Sequence, residues 1–290
     1  MTDLPTLVDD FLQAHDFSRH TDRAIRSDLT KFARWFVSAN NEHFDPTRVT
    51  VRDVADFREY LTRVRRQAVA TVNRALVSVR RFLGHLADSG DLSANPAKSV
   101  KELKLMPTSP KGLTTAQVRK IMREVELRQD RRAAAVLGVM LYGGLRVSDV
   151  VGLELSDVII GPRSGQLICR YGKGNKQRTV PLPVEARRAL EAYLESRPPT
   201  DSQTVFIGER GPLTDDGIRA ICFRFSAISG VKFTPHTLRH TFAHRFLATS
   251  NNDLVALAQI LGHESLNTTS IYTRRSQEDL QRRIDDLRYE

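Results

Sequence analysis

Cysteine is nearly absent: Cys169 and Cys222 are the two in 290 residues, far apart in segments that read as a strand and a helix. That excludes a disulfide scaffold and a cysteine zinc site, and it fits a reducing cytoplasm. Long apolar runs are missing too. No stretch approaches the roughly 18 residues needed to span a bilayer, and MTDLPTLVDDFLQAHDF puts acidic residues where a secretion signal is basic. The expectation is a soluble protein inside the cell. Neither an HExxH pair nor a GxxxxGK[ST] phosphate loop occurs, and there is no internal repeat or low-complexity tract.

What the chain does have is positive charge. Lysine and arginine outnumber aspartate and glutamate by 44 to 34, a formal net charge of +10. Such a surplus suits a phosphate backbone; solubility through net charge is the plainer reading. At 290 residues the chain is long enough for two domains of ordinary size.

The amino-terminal part reads as helices. Ile25, Leu29, Phe32 and Phe36 fall on one helical face. That face finds partners in VTVRDVADFREYLTRV and in AVATVNRALVSVRRFLGHLADSG. The second segment turns Val69, Val72, Leu76, Val79, Leu83 and Leu86 inward and leaves Arg74, Arg80 and Arg81 on its polar side, with Gly90 as the C-cap. Three prolines, four lysines and little periodicity from Asp91 to Gly112 read as a linker, with the boundary near Met106. Helix restarts at a capping box, Thr114 to Gln117, and RRAAAVLGVMLYGGLR is a buried-type helix ending at Gly143 and Gly144. DVII, QLICRY and RTVPLP then predict a small antiparallel sheet, before a return to helix with turns at GERGP and SNND. The expected fold is mainly α with a small antiparallel β-sheet, split into domains at 1–104 and 108–290.

Several short motifs carry chemistry. In TPHTLRHTF, Thr234 is an N-cap and Pro235 the first helical residue, so His236 and Arg239 sit in a first turn whose N–H groups favour an anion. The alternative is a satisfied histidine and a solvated arginine. Arg146 follows a double glycine, which either presents one charge into a cleft or simply stops a helix. Lys173 lies between two glycines in a hairpin tip, YGKGNKQR, as a mobile proton donor or a solvated lysine. His263 opens GHESLNTTSIYT and Tyr272 stands nine residues after it. A phenol with pKa near 10 is about 0.1% ionised at pH 7, a deficit of roughly 4 kcal/mol that neighbouring cations or a base must offset. His236, His240 and His244 recur at metal-ligand spacing on a helix, yet Leu238 and Phe242 occupy the places of a packed face. We expect no metal or cofactor there, and Cys169 and Cys222 as small buried hydrophobes.

Arg146, Lys173 in its hairpin, HTLRH, LGH and the tyrosine nine residues later together resemble the tyrosine recombinase (phage integrase) family, and GKGNKQRTVPLP is similar to its Xer-type members. The resemblance covers nearly the whole chain and includes the end of a helical core-binding domain in ATVNRALVSVRRFLGHLADSGDLSANPA. It implies a C-shaped clamp on double-stranded DNA, in which a core-binding bundle faces a catalytic domain. By the same likeness Tyr272 attacks a DNA phosphate to give a 3'-phosphotyrosine and a free 5'-hydroxyl. Arg146 and Arg239 hold the non-bridging oxygens, Lys173 protonates the leaving oxygen, His236 takes the tyrosine proton, and His263 hydrogen-bonds the scissile phosphate.

His240 follows the arginine as in the family and reads as a structural hydrogen-bonding residue. By the same resemblance the two arginines and the lysine take the place a magnesium ion would fill, and the covalent link conserves the bond energy, so no metal and no ATP is expected. The resemblance further implies short inverted half-sites, with one protomer on each, in a homo- or hetero-tetramer on DNA. Some relatives need a second recombinase subunit or an accessory protein, which the resemblance leaves open for this chain, and it implies a place with the bacterial nucleoid in the cytoplasm. Leu280, Ile284 and Leu287 form a terminal stripe for docking, onto a neighbouring subunit or onto its own domain. Arg74, Arg80 and Arg81 are the expected DNA contacts of the first domain. The start of the chain leaves no room for an arm-binding domain, so a two-domain member is expected. Two rivals remain: a type IB topoisomerase-like enzyme that reseals the same strand, and an architectural DNA-binding protein that cuts nothing.

Overall fold

The computed structural model describes residues 4–105, 112–170, 177–263 and 266–273. The chain divides into two compact units, Met1–Met106 and Pro107–Glu290. Helix and small antiparallel sheets are the whole of the regular structure among the described residues, and no helix there is long and apolar enough to cross a membrane.

The first unit is helical: α1 (Leu4–Gln13), α2 (Arg19–Asn40), α3 (Val51–Glu59) and α4 (Val69–Asp88). The apolar face read from the sequence closes its core, since Ile25, Leu29, Phe32 and Phe36 of α2 are all buried. Phe32 meets Phe57 of α3 edge-on, with ring centroids 5.1 Å apart. From α4, Val72, Leu76, Val79, Leu83 and Leu86 pack against them. The α4 cap is Ser89, and Gly90 follows it at φ +88°, the left-handed position just past a helix end. VTVRDVADFREYLTRV is not one regular helix: after α3 the chain makes a π-turn, Tyr60–Val64. Nor is Asp91 onward a loose linker. Ala97 and Val100 are buried in this core, and the Asn73 amide brackets Leu103, donating to its carbonyl at 2.8 Å and accepting from its N–H at 2.8 Å.

The three arginines on the polar side of α4 have partners inside the unit. Arg80 donates to the carbonyls of Ala97 and Val100 and to Glu102, fastening the segment beyond α4. Arg74 pairs with Asp28, a carboxylate whose pKa burial raises and Arg74 pulls back down. Arg81 lies over the ring of Phe17, 5.8 Å from its centroid. Arg74 and Arg81 are exposed and Arg80 half-buried, as a polar face implies, and the long side chains of Arg74 and Arg80 also reach neighbouring carbonyls and carboxylates.

The second unit is built round α6 (Arg131–Gly143), which follows α5 (Thr115–Leu127) and its capping box at Thr114 and Gln117. Its valines and leucines, with Ala133 and Ala135, are buried because other elements cover it, chiefly α8 (Val184–Glu195) and α10 (Pro235–Thr249). The predicted strands form one antiparallel sheet, ordered β1 (Val158–Ile160), β2 (Gly165–Cys169) and β3 (Arg178–Pro181), in a register that pairs Cys169 with Arg178. At GERGP, β4 (Ile207–Gly208) and β5 (Gly211–Pro212) make a second small hairpin.

Short α7 (Val147–Val151) and longer α9 (Asp215–Ser229) flank these elements, and α11 (Leu254–Leu261) and α12 (Leu266–Thr269) end the described chain. A separate apolar cluster of Ala243, Leu247, Leu257 and Leu261 includes the ring of Tyr272. The segment entering this unit is tied to α10, since Leu113 donates its N–H to Thr241 Oγ1 at 2.8 Å. The stripe of Leu280, Ile284 and Leu287 lies outside the described residues.

Candidate active site

Two helix ends supply the framework. The last carbonyls of a helix have no partner within it and carry partial negative charge, so they attract guanidinium groups. At the end of α6, Gly144 turns left-handed at φ 64°, and a Cβ there would stand 2.4 Å from Phe242 Cδ1. Only glycine lets α6 stop this close to α10. The Gly144 carbonyl accepts from Arg239 at 2.6 Å. At the end of α11, Leu261 O accepts from Arg239 at 2.8 Å and Gly262 O from Arg146 at 3.0 Å.

A third guanidinium, Arg178 of β3, donates to Ile260 O at 2.9 Å and pairs with Asp149 of α7. Asp149 also accepts the backbone N–H of Arg146 at 2.7 Å. A Cβ at Gly262, itself at φ 63°, would sit 2.9 Å from Arg178 Cδ, so the glycine of LGH leaves room for that pair. Among the described residues, three guanidiniums with one carboxylate between them leave a net positive site that a phosphate diester would complement.

The electrostatics agree with that positive charge. Burial lowers the Arg239 pKa to about 9, helped by Arg146, so the cation persists at neutral pH although it is 5% exposed. Burial also lowers Arg146, with Asp149 acting the other way. His263 lies between Arg239 and the next turn: its Nε2 is 3.0 Å from the Arg239 guanidinium and its Nδ1 2.8 Å from Thr269 Oγ1. Arginine can only donate, so Nε2 accepts and Nδ1 carries the proton toward the hydroxyl. Burial, then Arg239 and Arg146, hold this imidazole down to about 4, which keeps it neutral.

Tyr272 ends a 3-10 turn, Ser270–Tyr272, that continues from α12. It is 7% exposed, and burial raises its pKa while Arg239 and Arg146 pull it down. Its hydroxyl is 2.8 Å from Nδ1 of His240, and the ring of His244 meets it edge-on at 5.4 Å between centroids. His236 is exposed, and its ring contact is with His240 at 6.2 Å.

Arg146, Arg239, His263 and Tyr272 are thus brought together, and Lys173 lies outside the described residues. His240 rather than His236 touches the phenol. Asp149, Arg178 and Thr269 are further parts of the site that the sequence reading passed over. RVSD carried a signal for Asp149, an acid three residues after the helix-capping position; for Arg178 and Thr269 we find none. Among the described residues no group of three or more histidine, cysteine, aspartate or glutamate side chains could hold a metal ion. Burial pushes the Cys169 thiol up to about 11 and that of Cys222 up to about 12, so both pack as apolar groups.

Residues 111–279 match the model of the phage integrase family. The chain belongs to the phage integrase family. Its members among curated proteins include the tyrosine recombinase XerC of Thermodesulfovibrio yellowstonii, 34% identical over 88% of this chain and 86% of that one. The tyrosine recombinase XerC of Myxococcus xanthus is 34% identical over 98% of both chains. The crystal structure of the XerH site-specific recombinase bound to difH substrate in a pre-cleavage complex superposes with a TM-score of 0.74. It is 20% identical and covers 98% of this chain and 85% of that one. At that identity the superposition establishes a shared fold. This family member is therefore an Xer-like tyrosine recombinase, an enzyme of site-specific recombination that works through a tyrosine.

Proposed function

We propose that the protein binds double-stranded DNA at short inverted half-sites and exchanges strands through a 3'-phosphotyrosine on Tyr272. The observation that carries this reading is the gathering of Arg146, Arg239 and His263 at two helix ends beside a buried tyrosine. The Tyr272 oxygen forms a bond to phosphorus as the bond from phosphorus to the 5' oxygen breaks, and Lys173 gives that oxygen its proton. Arg146 and Arg239 stabilise the charge that develops on the non-bridging oxygens, a term usually among the largest in such reactions. Attack by a 5'-hydroxyl from another strand reverses the step and joins the new partner.

His263 would hydrogen-bond a phosphate oxygen. Its Nε2 accepts from Arg239, so donating from that atom requires a changed tautomer or a second proton. Four protomers, one per half-site, are the assembly that fits two duplexes with paired half-sites.

The test mixes the protein, and separately Tyr272→Phe, with fragmented DNA of the source organism in EDTA, denatures both, and sequences DNA that stays attached to protein. Attachment by the unmutated protein alone supports the nucleophile and reads out the target site. If neither protein retains DNA while both still bind it, cleavage by Tyr272 is excluded under those conditions and an architectural role takes its place. Strand exchange between two recovered sites, as opposed to resealing of one, separates recombination from a topoisomerase-like cycle.

A further inference from the structure

We propose that His240 is the catalytic base for Tyr272: its Nδ1 takes the phenol proton as the tyrosine oxygen bonds to phosphorus. This rests on the assignment of Tyr272 as nucleophile and replaces His236, the acceptor expected from the motif. The geometry carries it. Nδ1 of His240 is 2.8 Å from the Tyr272 hydroxyl, inside the range a proton acceptor must reach, whereas His236 is exposed and its described ring contact is with His240. Both residues stand on α10, yet the turn after α12 delivers the phenol one helical turn further along than the motif suggests.

The surroundings favour acceptance over donation in the resting site. His240 is faced by His236, His244 and Arg239 on its own helix and by Tyr272 from the turn after α12. Burial first, then His236, His244 and Arg239, holds its pKa down to about 4, so the imidazole is neutral at neutral pH. An incoming phosphate anion offsets the Arg239 charge and strengthens the base when the reaction needs it. His244 meets the ring of Tyr272 edge-on, an arrangement aromatic pairs prefer, and so helps to fix which way the hydroxyl points. The balance is complete: O–H of Tyr272 breaks and N–H of His240 forms, O–P forms and P–O5' breaks, and Lys173 supplies the proton that leaves with the 5' oxygen. Religation returns the His240 proton to the departing tyrosine.

The experiment compares His240→Asn and His236→Asn in single-turnover covalent attachment to a duplex carrying the site recovered by trapping. Asparagine keeps a hydrogen-bonding group near the position of Nδ1 but cannot take the proton. His240→Asn should lower the attachment rate by about 100-fold or more at pH 7 with DNA binding retained, and regain rate steadily as pH rises, because solvent hydroxide replaces the lost base. His236→Asn should lose much less.

Equal losses, a larger loss in His236→Asn, or a His240→Asn rate within a few-fold of the unmutated protein would each overturn the proposal. If His240→Asn folds poorly, His240→Gly with added imidazole decides: a rate that rises with the concentration of neutral imidazole supports the base, and no rise removes it. Attachment by Tyr272→Phe would instead sink the nucleophile assignment beneath it, so the two failures are told apart.

Discussion

Asp149→Ala removes the carboxylate that, among the described residues, meets all this positive charge, and the cost follows from the structure. Asp149 is 1% exposed and its partner Arg178 9% exposed, so the pair is buried. Without the carboxylate, the Arg178 guanidinium keeps its bond to Ile260 O but loses its counter-charge, and the Arg146 N–H loses its acceptor. Breaking a buried ion pair from one side costs about 3–5 kcal/mol. For a unit of this size each kcal/mol moves Tm by about 2–4 °C, which places the drop at about 6–20 °C.

Replacing both members, Asp149→Leu with Arg178→Met, should recover most of that loss, since apolar groups of similar volume often substitute for a buried pair at little cost. The assay is urea unfolding of Asp149→Ala, Asp149→Leu, Arg178→Met, the double variant and the unmutated protein, the last four read as a double-mutant cycle. If Asp149→Ala unfolds within about 1 kcal/mol of the unmutated protein, the pair behaves as an exposed one and the reasoning fails.

Gly144→Ala should be among the most damaging single-methyl changes in the chain. The left-handed backbone and a Cβ at 2.4 Å from Phe242 together predict a loss of about 2–5 kcal/mol, measurable by urea unfolding. A normal midpoint would show that α6 and α10 do not touch there. Acid should destabilise the second unit through two half-buried histidines. His240 and His263 are held down to about 4 from 6.5, so between those values the unfolded chain binds more protons. Stability therefore rises with pH across that window and is lost as pH falls through it. His263→Gln should flatten the dependence of the urea midpoint on pH from 4 to 6.5, and an unchanged slope would refute the assignment. Lys173→Ala should slow cleavage of an ordinary phosphodiester far more than of one with sulfur in place of the 5' oxygen; equal slowing takes the proton-donor role away from Lys173.

The helices and the sheet were legible in the sequence wherever one local rule governed them. The stripe of Ile25, Leu29, Phe32 and Phe36, the capping box at Thr114, the N-cap at Thr234 and the double glycine after Leu141 and Tyr142 each express a short-range preference that tertiary packing did not override. Arg146, Arg239, His263 and Tyr272 were legible as motif residues, but not their partners. Which histidine meets Tyr272 depends on where α12 and its 3-10 turn bring the phenol along α10, a contact 32 residues apart in sequence. Arg178 to Asp149 spans 29 residues, and no pattern on either strand or helix announces it. The run from Asp91 misled because low periodicity was read as looseness, while Asn73, Arg80 and two buried aliphatic residues hold it to the first core.

Apart from Nε2 of His263, which accepts from Arg239, the acceptors that position Arg146 and Arg239 are main-chain carbonyls, of Gly144, Leu261 and Gly262. Every amino acid supplies the same carbonyl, so no side-chain replacement at those positions can delete an acceptor. Mutation reaches this scaffold only by bending the backbone, and two of the three positions are glycines at positive φ. A saturation survey of the region should therefore find a lopsided tolerance. Leu261 accepts other apolar residues of similar size, whereas Gly144 and Gly262 accept almost nothing, and the two arginines stay aimed through most genetic drift around them.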